Sequence, residues 1–352
     1  MNIYKNLILN SETVDIIEEN GKIKGIGKTD LPGKDFSGCK VYPGLIEIHS
    51  HGAVGFDTMD SELEELSRYQ AENGVTAFYP TTMTESYDRI KNVCDADINT
   101  VSGAKILGFH LEGPYINEKY KGAQNKSFIK TPDIDEFNTF QNAKIITVAP
   151  ETDGAMEFIS KCSARVCIGH SDADYDTAVK AIENGASCLT HTFNAMTPLN
   201  HRMPGIIAAA ADKNIYAQVI CDGFHIHPSM IRLLYKVFGS DRLILISDSM
   251  RATKLSDGIY EFGGQEVLVK DGIAKTLDGA IAGSTTTLFE CVKHAIEFGI
   301  PESEAFKMAS STPAEFMGIN KGKLEEGYDC DLLILNPDGS INTTVIEGKI
   351  FE

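Results

Sequence analysis

His49 and His51 stand one residue apart at the end of an apolar run, and this spacing can place both imidazoles on one cation. Alternate residues of a β-strand point to the same face, and imidazole nitrogen is a common ligand of divalent metals. Glu112, His170 and His191 end three further runs and add a carboxylate and two imidazoles. Each residue alone is also explained as an ordinary hydrogen-bonded polar residue at a strand end. Together they predict a site for a divalent metal such as Zn, Fe or Mn.

Asp248 ends another apolar run and could move protons beside such a metal. A divalent cation lowers the pKa of bound water and polarises a carbonyl oxygen, so this residue set favours hydrolysis. A carboxylate near the water can take its proton and pass it to the leaving group. This suits an amide, because an amine leaves only when it is protonated. The alternative role for Asp248 is to cap the following segment, and His110 is predicted to lie in the core or to support a ligand.

Eight short apolar runs carry these residues at or just beyond their C-terminal ends, and helix-like segments separate the runs. Strands that are buried on both faces and alternate with helices are typical of a (β/α)8 barrel. A barrel brings the C-terminal ends of its strands to one mouth, which would gather the polar residues into one site. A dinucleotide-binding fold is not supported, because no GxGxxG motif follows the first run. The predicted strands are residues 44–51, 75–82, 105–112, 144–151, 164–171, 187–194, 216–223 and 242–249.

The two ends of the chain have a different pattern, with short strand-like alternations and turn signals such as Asn20-Gly21 and Asp338-Gly339. We therefore predict an α/β protein in two parts. A (β/α)8 TIM-type barrel would occupy residues 43–319, and residues 1–42 and 320–352 would together form a small β-sandwich domain. Residues 258–276 contain further turn signals and predict a hairpin inserted after the eighth strand.

The composition is that of an ordinary globular protein. The chain has 352 residues, with 32 Lys and Arg against 50 Asp and Glu, for a net charge of −18. This charge repels nucleic acids and anionic membranes, so neither is expected as a partner, and an anionic ligand would need a local basic site. The 8 cysteines contain no CxxC pair and are predicted to be reduced and mostly buried. Because the sequence has no signal peptide and no apolar run that could span a bilayer, a cytoplasmic location is expected.

A series of motifs in a fixed order gives the chain a family resemblance between about residues 41 and 288. The motifs are PGLIEIHSHG, HLEGPYIN followed by KGAQ, IGHSDA, THTFNAM, HRMPG, CDGFHIHP, LISDSM and AGSTTTL. Together they resemble the N-acetylglucosamine-6-phosphate deacetylases of the amidohydrolase superfamily. The terminal segments fit the β-sandwich of that superfamily, including GYDCDLLIL near the C-terminus.

The resemblance implies roles for the metal site. Glu112, His170 and His191 would be the principal ligands, and Asp248 would be the catalytic acid/base. Some family members lack the first-strand histidines and bind one metal, whereas others keep them and bind two. The presence of the HxH pair implies the second kind, with Glu112 as the bridge and one or two divalent ions per subunit. The chain has no fourth-strand lysine of the kind that is carbamylated in other branches, which agrees with a bridging glutamate.

The resemblance also implies a substrate, a phosphorylated N-acetyl amino sugar. The expected reaction converts N-acetyl-D-glucosamine 6-phosphate to D-glucosamine 6-phosphate and acetate. Arg202 would hold the phosphate bidentately, although without the motif it would be interpreted as a surface arginine. Asn194 would share the phosphate, and His225 would contact the sugar or the acetamide carbonyl. The implied substrate-binding residues are Ala123, Asn194, Ala195, Arg202, Asp222, Gly223, Phe224, His225, Ile281, Ala282 and Gly283.

Three alternatives remain open at this point. The same metal site and phosphate contacts would serve the galactosamine epimer of the substrate, which differs at one hydroxyl. A cyclic-amide hydrolase is a second alternative, against which Arg202 and the HTFNAM segment argue. A barrel used only for binding is a third, but such a protein should have lost at least one ligand or the acid/base. Because family members form dimers in which a neighbouring subunit can complete the phosphate site, a homodimer is expected.

Overall fold

The computed structural model describes residues 1–277 and 279–352. Twenty-two strands and ten α-helices are assigned in this part of the chain. No helix there combines the length and the apolar character needed to cross a membrane. All eight cysteines lie in the described part and are free, and seven of them are buried.

The strands are numbered in chain order. The first five are β1 (Asn2–Leu9), β2 (Glu12–Glu19), β3 (Lys22–Gly27), β4 (Lys34–Asp35) and β5 (Lys40–Pro43). The next eleven are β6 (Leu45–Ser50), β7 (Gly52–Ala53), β8 (Phe56–Asp57), β9 (Val75–Thr82), β10 (Lys105–Ile106), β11 (Phe109–Glu112), β12 (Ala143–Val148), β13 (Arg165–Ile168), β14 (Ala186–Leu189), β15 (Tyr216–Ile220) and β16 (Leu243–Ile246). The last six are β17 (Gly258–Phe262), β18 (Gln265–Lys270), β19 (Ile273–Thr276), β20 (Leu332–Leu335), β21 (Ile341–Ile346) and β22 (Lys349–Ile350).

The α-helices follow most of the barrel strands and pack outside them. They are α1 (Leu63–Glu72), α2 (Tyr87–Cys94), α3 (Ile134–Phe137), α4 (Ala155–Lys161), α5 (Tyr175–Glu183), α6 (Gly205–Asp212), α7 (Pro228–Phe238), α8 (Leu288–Glu297), α9 (Glu302–Met308) and α10 (Ser311–Met317). Short 3-10 turns occur at Thr58–Asp60, Glu118–Tyr120 and Lys126–Phe128.

A parallel, nearly closed barrel forms the centre of the molecule, as the sequence predicts. Its neighbours run in the order β6, β9, β11, β12, β13, β14, β15 and β16, and β10 extends the pairing on β9. Each of the eight predicted runs overlaps one of these strands and begins within one residue of it, except that residues 105–112 form two. The division occurs at Gly108, which has a φ of +140°, and a side chain there would collide with Lys144. Small and branched apolar residues such as Ile48, Cys188 and Ile246 fill the interior.

The barrel closes between its first and last strands through side-chain and loop contacts. No ladder pairs β6 with β16 among the described residues. Instead, the buried carboxylate of Glu47 accepts the backbone N–H groups of His49 and Ser247, each at 3.0 Å. Beyond the strand ends, the amide of Asp248 donates to the carbonyl of His49 at 2.9 Å. These bonds replace the missing ladder, since buried backbone N–H groups need partners.

The two ends of the chain meet in one eight-stranded sheet. Its main path runs β22, β21, β20, β5, β1, β2 and β3, and β4 pairs with β1. Ile23 near one edge and Val345 near the other belong to the same buried cluster, together with Leu7 and Leu332. The sheet must therefore curve over a shared core. The division into two domains at residues 42/43 and 319/320 stays a prediction.

The predicted insertion after the eighth barrel strand is a three-stranded antiparallel sheet of β17, β18 and β19. One of its faces packs on the barrel mouth through Phe262, Val267 and Val269, in a cluster with Met83 and Met250. This places the insertion beside the ends of the barrel strands.

Candidate metal centre and active site

The five predicted ligands meet at the C-terminal mouth of the barrel as two groups that share Glu112. One group is His49, His51 and Glu112, and the other is Glu112, His170 and His191. In each group the possible ligand atoms lie within 4.8 Å of one another, and every residue is buried. The structure therefore brings together all five residues that the sequence predicts as ligands.

The distances show how closely the imidazoles surround the Glu112 carboxylate. Its Oε1 lies 3.3 Å from His49 Nε2, 3.2 Å from His170 Nε2 and 2.8 Å from His191 Nε2. Its Oε2 lies 3.2 Å from His51 Nε2. A carboxylate that faces both histidine pairs in this way has the position expected of a bridging ligand.

Asp248 completes the cluster from the last barrel strand. Its Oδ1 lies 3.4 Å from His49 Nε2 and 3.3 Å from His51 Nε2. The residue is two positions beyond the end of β16 and has a φ of +50°. His170 (φ +47°) and His191 (φ +23°), each two residues beyond its strand, share the left-handed backbone conformation. Such strain in non-glycine residues is typical of functional sites.

Local backbone geometry turns the first histidine pair toward the mouth. The register of β6 against β9 shifts between Glu47 and Ser50, and irregularities of this kind often redirect side chains beside active sites. The Nδ1 atoms of His51 and His170 face the carbonyl oxygens of Thr81 and Tyr120, at 3.2 and 2.7 Å. These contacts leave Nε2 of each ring directed at the carboxylates, as in metal-binding histidines.

The electrostatics of the cluster favour positive charge at its centre. Burial raises the pKa of Glu112, but the neighbouring histidines His49 and His170 outweigh burial and hold it well below the usual value. Burial lowers the pKa of His51, whereas contacts with Asp248 and Glu112 raise it to about 10. The two buried carboxylates, Glu112 and Asp248, are thus stabilised mainly by the neighbouring imidazoles.

The same atoms fit a divalent metal. His49 Nε2 is buried without a hydrogen-bond partner although two carboxylate oxygens face it. Imidazole nitrogens and carboxylate oxygens are the usual ligands of Zn and related first-row ions. The described residues of the centre can therefore hold a metal in either group, and the shared Glu112 permits two.

A cavity of about 410 Å³ opens above these residues. His51, Glu112, His170, His191 and Asp248 form part of its wall. Six of the predicted substrate-binding residues also line it, and these are Ala123, Asn194, Ala195, His225, Ile281 and Gly283. The imidazole of His225 is fixed by Asp222, whose Oδ2 lies 2.7 Å from Nδ1.

The other predicted substrate residues lie outside the wall of this cavity as the structure describes it. Asp222 contacts Nδ1 of His225 from outside the cavity wall. Phe224, next to His225 in the chain, is 53% exposed. Gly223, between them, has a φ of +78°, and Ala282 is buried under the insertion. Arg202 is exposed and lines a neighbouring groove, which shares Tyr120 with the cavity. The roles assigned to all these residues stay predictions.

Several cavity residues were missed by the sequence reasoning. Gln124 donates to Glu112 Oε2 at 2.6 Å, and its place in the KGAQ motif beside Ala123 was an available signal. Lys119 is the one lysine or arginine among the described wall residues, and it also pairs with Asp172 at 2.7 Å. Phe262 reaches the wall from the insertion, with its ring 5.2 Å from that of His51. No local spacing could have revealed this last contact.

His110 is fully buried below the centre, as predicted for a core or supporting residue. Its Nδ1 lies 3.0 Å from the carbonyl oxygen of Ile48, and its Nε2 lies 2.9 Å from Thr147 Oγ1. Burial is the main cause that lowers its pKa. Its ring packs edge-on against His49 at 4.5 Å.

Comparison with known proteins gives a family match and close relatives. Residues 41–351 match the model of the amidohydrolase family. A protein of Bacillus subtilis (strain 168) named N-acetylglucosamine-6-phosphate deacetylase is 36% identical over 377 residues, which cover 99% of this chain and 94% of the relative. An N-acetylgalactosamine-6-phosphate deacetylase of Escherichia coli O157:H7 is 32% identical, over 88% of this chain and 86% of the relative.

A solved structure has the same fold over almost the whole chain. It is a mutant of N-acetyl-D-glucosamine-6-phosphate deacetylase from Mycobacterium smegmatis in complex with N-acetyl-D-glucosamine-6-phosphate. The TM-score is 0.91 at 27% sequence identity, and the match covers 99% of this chain and 98% of the other.

Proposed function

This chain belongs to the amidohydrolase family, and from that membership we propose that it is a metal-dependent deacetylase of N-acetyl-D-glucosamine 6-phosphate. The products are D-glucosamine 6-phosphate and acetate, a reaction of amino-sugar catabolism or recycling. The observation that carries the proposal is the position of Asp248, whose Oδ1 lies 3.3 Å from one predicted ligand nitrogen and 3.4 Å from another at the cavity floor. The Bacillus subtilis relative, 36% identical, supports the substrate.

We assign the metal to the two histidine groups that share Glu112, as one or two ions of Zn, Fe or Mn per chain. When bound, such an ion acidifies water and polarises a carbonyl oxygen. The side chains of the described residues would position this ion. The Glu112 carboxylate and the four imidazoles determine where its positive charge lies. His49 and His51 make this the form of the site that can hold two ions.

The reaction is an addition followed by the loss of an amine. The oxygen of a water molecule adds to the acetamide carbonyl carbon while Asp248 accepts one proton of that water. The C–N bond then breaks, and the proton passes from Asp248 to the sugar nitrogen, so that an amine and acetic acid leave. His225, oriented by Asp222, donates a hydrogen bond to the carbonyl oxygen as negative charge develops there. Acetic acid ionises to acetate in solution.

The sugar is proposed to lie against the cavity wall formed by Ala123, Ala195, Ile281 and Gly283. Its phosphate would be held by Asn194 and Arg202. The cation Lys119 lies in the cavity wall and could contribute to the same subsite, because the protein as a whole carries a charge of −18 and repels anions elsewhere.

We propose a homodimer as the functional unit. Arg202 lies on an exposed loop outside the cavity wall, so a second subunit could complete the phosphate subsite. The same loop exposes Met203 (76%) and Leu199 (43%), and apolar residues of this kind are frequent in interfaces. Light scattering of the purified protein tests this: a mass of about two chains supports the proposal, and a monomer that is fully active contradicts it.

Two broader expectations accompany this proposal. The terminal segments 1–42 and 320–352 would form a small β-sandwich domain, and the shared core of their sheet supports this division. A cytoplasmic location is proposed because the eight cysteines are free and mostly buried, which suits a reducing compartment.

Acetate release from N-acetylglucosamine 6-phosphate is the direct test. The assay compares metal-loaded enzyme with chelator-treated enzyme, and the phosphorylated sugar with the unphosphorylated one. Rapid release that requires both metal and phosphate supports the proposal. A metal-loaded protein that releases no acetate from any of these sugars would refute it and favour a binding role.

The galactosamine epimer is the second candidate substrate, because the Escherichia coli relative named for it is 32% identical to this chain. The two sugars differ at one hydroxyl. The same assay with N-acetylgalactosamine 6-phosphate decides between them through the ratio of the two kcat/KM values.

A further inference from the structure

Gln218 is a polar residue in an interior that is otherwise largely apolar. It lies on β15 and is fully buried, between Tyr216 and Ile220, which belong to the apolar cluster inside the barrel. Alternate residues of a strand share a face, so Gln218 also points inward. Burying an amide is costly unless it is hydrogen-bonded, which suggests a specific task for this side chain.

The contacts of Gln218 reach both halves of the metal centre. Its Oε1 lies 3.0 Å from His49 Nδ1. The same oxygen accepts the backbone N–H of His191 at 3.4 Å. Its Nε2 is directed at the sulfur of Cys167, at 3.8 Å.

These contacts define the orientation of the His49 ring. The backbone N–H of His191 can only donate, so the amide oxygen of Gln218 must face it. The same oxygen then accepts from His49 Nδ1, which must carry the hydrogen. Nε2 of His49 is left with a lone pair, and it faces Glu112 Oε1 at 3.3 Å and Asp248 Oδ1 at 3.4 Å.

The other described ligand contacts show why this position matters. The Nδ1 atoms of His51 and His170 face backbone carbonyl oxygens, and that of His191 has no hydrogen-bond partner. Within the described residues, His49 is therefore the ligand whose outer nitrogen is held by another residue's side chain. Outer partners of ligand histidines commonly change metal affinity 10–100-fold.

From this geometry we propose that Gln218 is a positioning residue, which orients His49 so that the His49–His51–Glu112 position can bind its cation. The inference rests on the proposed function of the centre as a metal site. It adds that the two metal positions differ in their dependence on this one amide. The position formed by Glu112, His170 and His191 contacts Gln218 only through the backbone of His191.

The test measures metal binding and not turnover. Apo protein is titrated with Zn²⁺ against a chromophoric chelator, to give the number of ions bound and both dissociation constants. Gln218→Met has a similar length but no strong acceptor, and Gln218→Asn keeps the amide but is about 1.5 Å shorter. Gln218→Glu retains an acceptor oxygen. Ile46→Val is the control, because it removes one methyl group from the same apolar interior at the start of β6, away from the strand end that carries the ligands.

We expect the native chain to bind two ions. In Gln218→Met and Gln218→Asn, one dissociation constant should rise 10–100-fold while the other changes much less, and Gln218→Glu should retain both ions. Two unchanged constants in the Met and Asn variants would overturn the inference, as would a native chain that binds only one ion. An equal weakening in Ile46→Val would also overturn it. If two ions bind but no acetate is released from the sugars, the proposed reaction fails and the role of Gln218 stands.

The absorption spectrum of the Co²⁺-loaded protein gives a second readout. Loss of His49 from one position should alter the visible bands of that ion while the bands of the other persist. Gln218→Asn is the variant to use in this measurement if Gln218→Met does not fold. Spectra identical to those of the native protein would contradict the inference.

Discussion

The main-chain amide of Asp248 donates a 2.9 Å hydrogen bond to the carbonyl oxygen of His49, and the carboxylate of Asp248 lies 3.4 Å from Nε2 of the same histidine. The proposed proton carrier and a proposed ligand are thus joined across the seam where the first and last barrel strands meet. Their separation is fixed by backbone geometry, which keeps the carboxylate in place without requiring it to be a ligand itself.

Asp248→Asn should lower kcat for acetate release by about 10²–10⁴-fold, the range usual for loss of a general acid/base. The amide has a similar shape but cannot accept and return the proton. Metal content, measured by plasma mass spectrometry, should stay at the native value. A variant that loses its metal together with its activity would show that Asp248 is mainly a ligand.

Removal of the metal should abolish activity and lower the unfolding temperature. A ligand that binds only the folded state adds about 2.7 kcal/mol of stability at 100 times its Kd. Differential scanning calorimetry before and after chelation measures this effect, and adding Zn²⁺, Mn²⁺ or Fe²⁺ back should restore both properties. Full activity in protein freed of metal would contradict the proposed site.

Arg202→Ala should raise KM for the phosphorylated sugar about 10–100-fold, because a hydrogen bond to a charged group contributes about 1.5–3 kcal/mol. KM for the unphosphorylated sugar should change little. Lys119→Ala tests the cation in the cavity wall in the same way, and Lys126→Ala, an exposed lysine on the adjacent loop, is the control. Equal effects of Arg202→Ala on both sugars would exclude the phosphate assignment.

Glu47→Gln should destabilise the barrel by about 1–3 kcal/mol. The native carboxylate accepts the backbone N–H of Ser247 across the seam and that of His49 within β6, whereas an amide presents one oxygen and leaves one buried donor unpaired. Urea unfolding gives the free-energy difference, with the exposed Glu72→Gln as the matched control. If the two variants unfold at the same urea concentration, Glu47 does not stabilise the seam.

Asp15→Asn should reduce stability at neutral pH and leave activity unchanged. Burial raises the pKa of Asp15, but the backbone N–H groups of Asn6 and Thr29, with Lys28 and Lys5, hold it below the usual value. A lowered pKa means that this stability is present above the ordinary value of about 3.9 and is lost as the pH falls through the lowered one.

Urea unfolding at pH 7 and at pH 3 checks this prediction for Asp15. The difference between native protein and Asp15→Asn should be about 1–3 kcal/mol at pH 7 and smaller at pH 3. The exposed Asp30→Asn serves as the control. A difference that grows toward low pH would have the wrong sign for an ionised, hydrogen-bonded carboxylate.

The sequence alone determined the barrel and the set of residues that meet at the candidate metal centre. The pattern of apolar runs is local, because burial on both faces of a strand requires several consecutive apolar residues. Each polar residue at the end of a run, such as His170, is then placed at the mouth by the barrel itself. This is why Glu112 and His191, 79 positions apart in the chain, could be predicted to meet before their 2.8 Å contact was seen.

The tertiary structure decided the features that depend on how distant segments close on one another. Three residues have roles that depend on contacts between segments far apart in the sequence, which residue spacing does not predict. They are Glu47 at the seam, Phe262 in the insertion and Gln218, which contacts His49. Arg202 shows the same limit, since its motif predicts a phosphate contact but its loop lies beside the cavity and not in its wall. The physical reason is that periodicity reports which face of an element is buried, whereas the partners of a side chain are set by packing between elements.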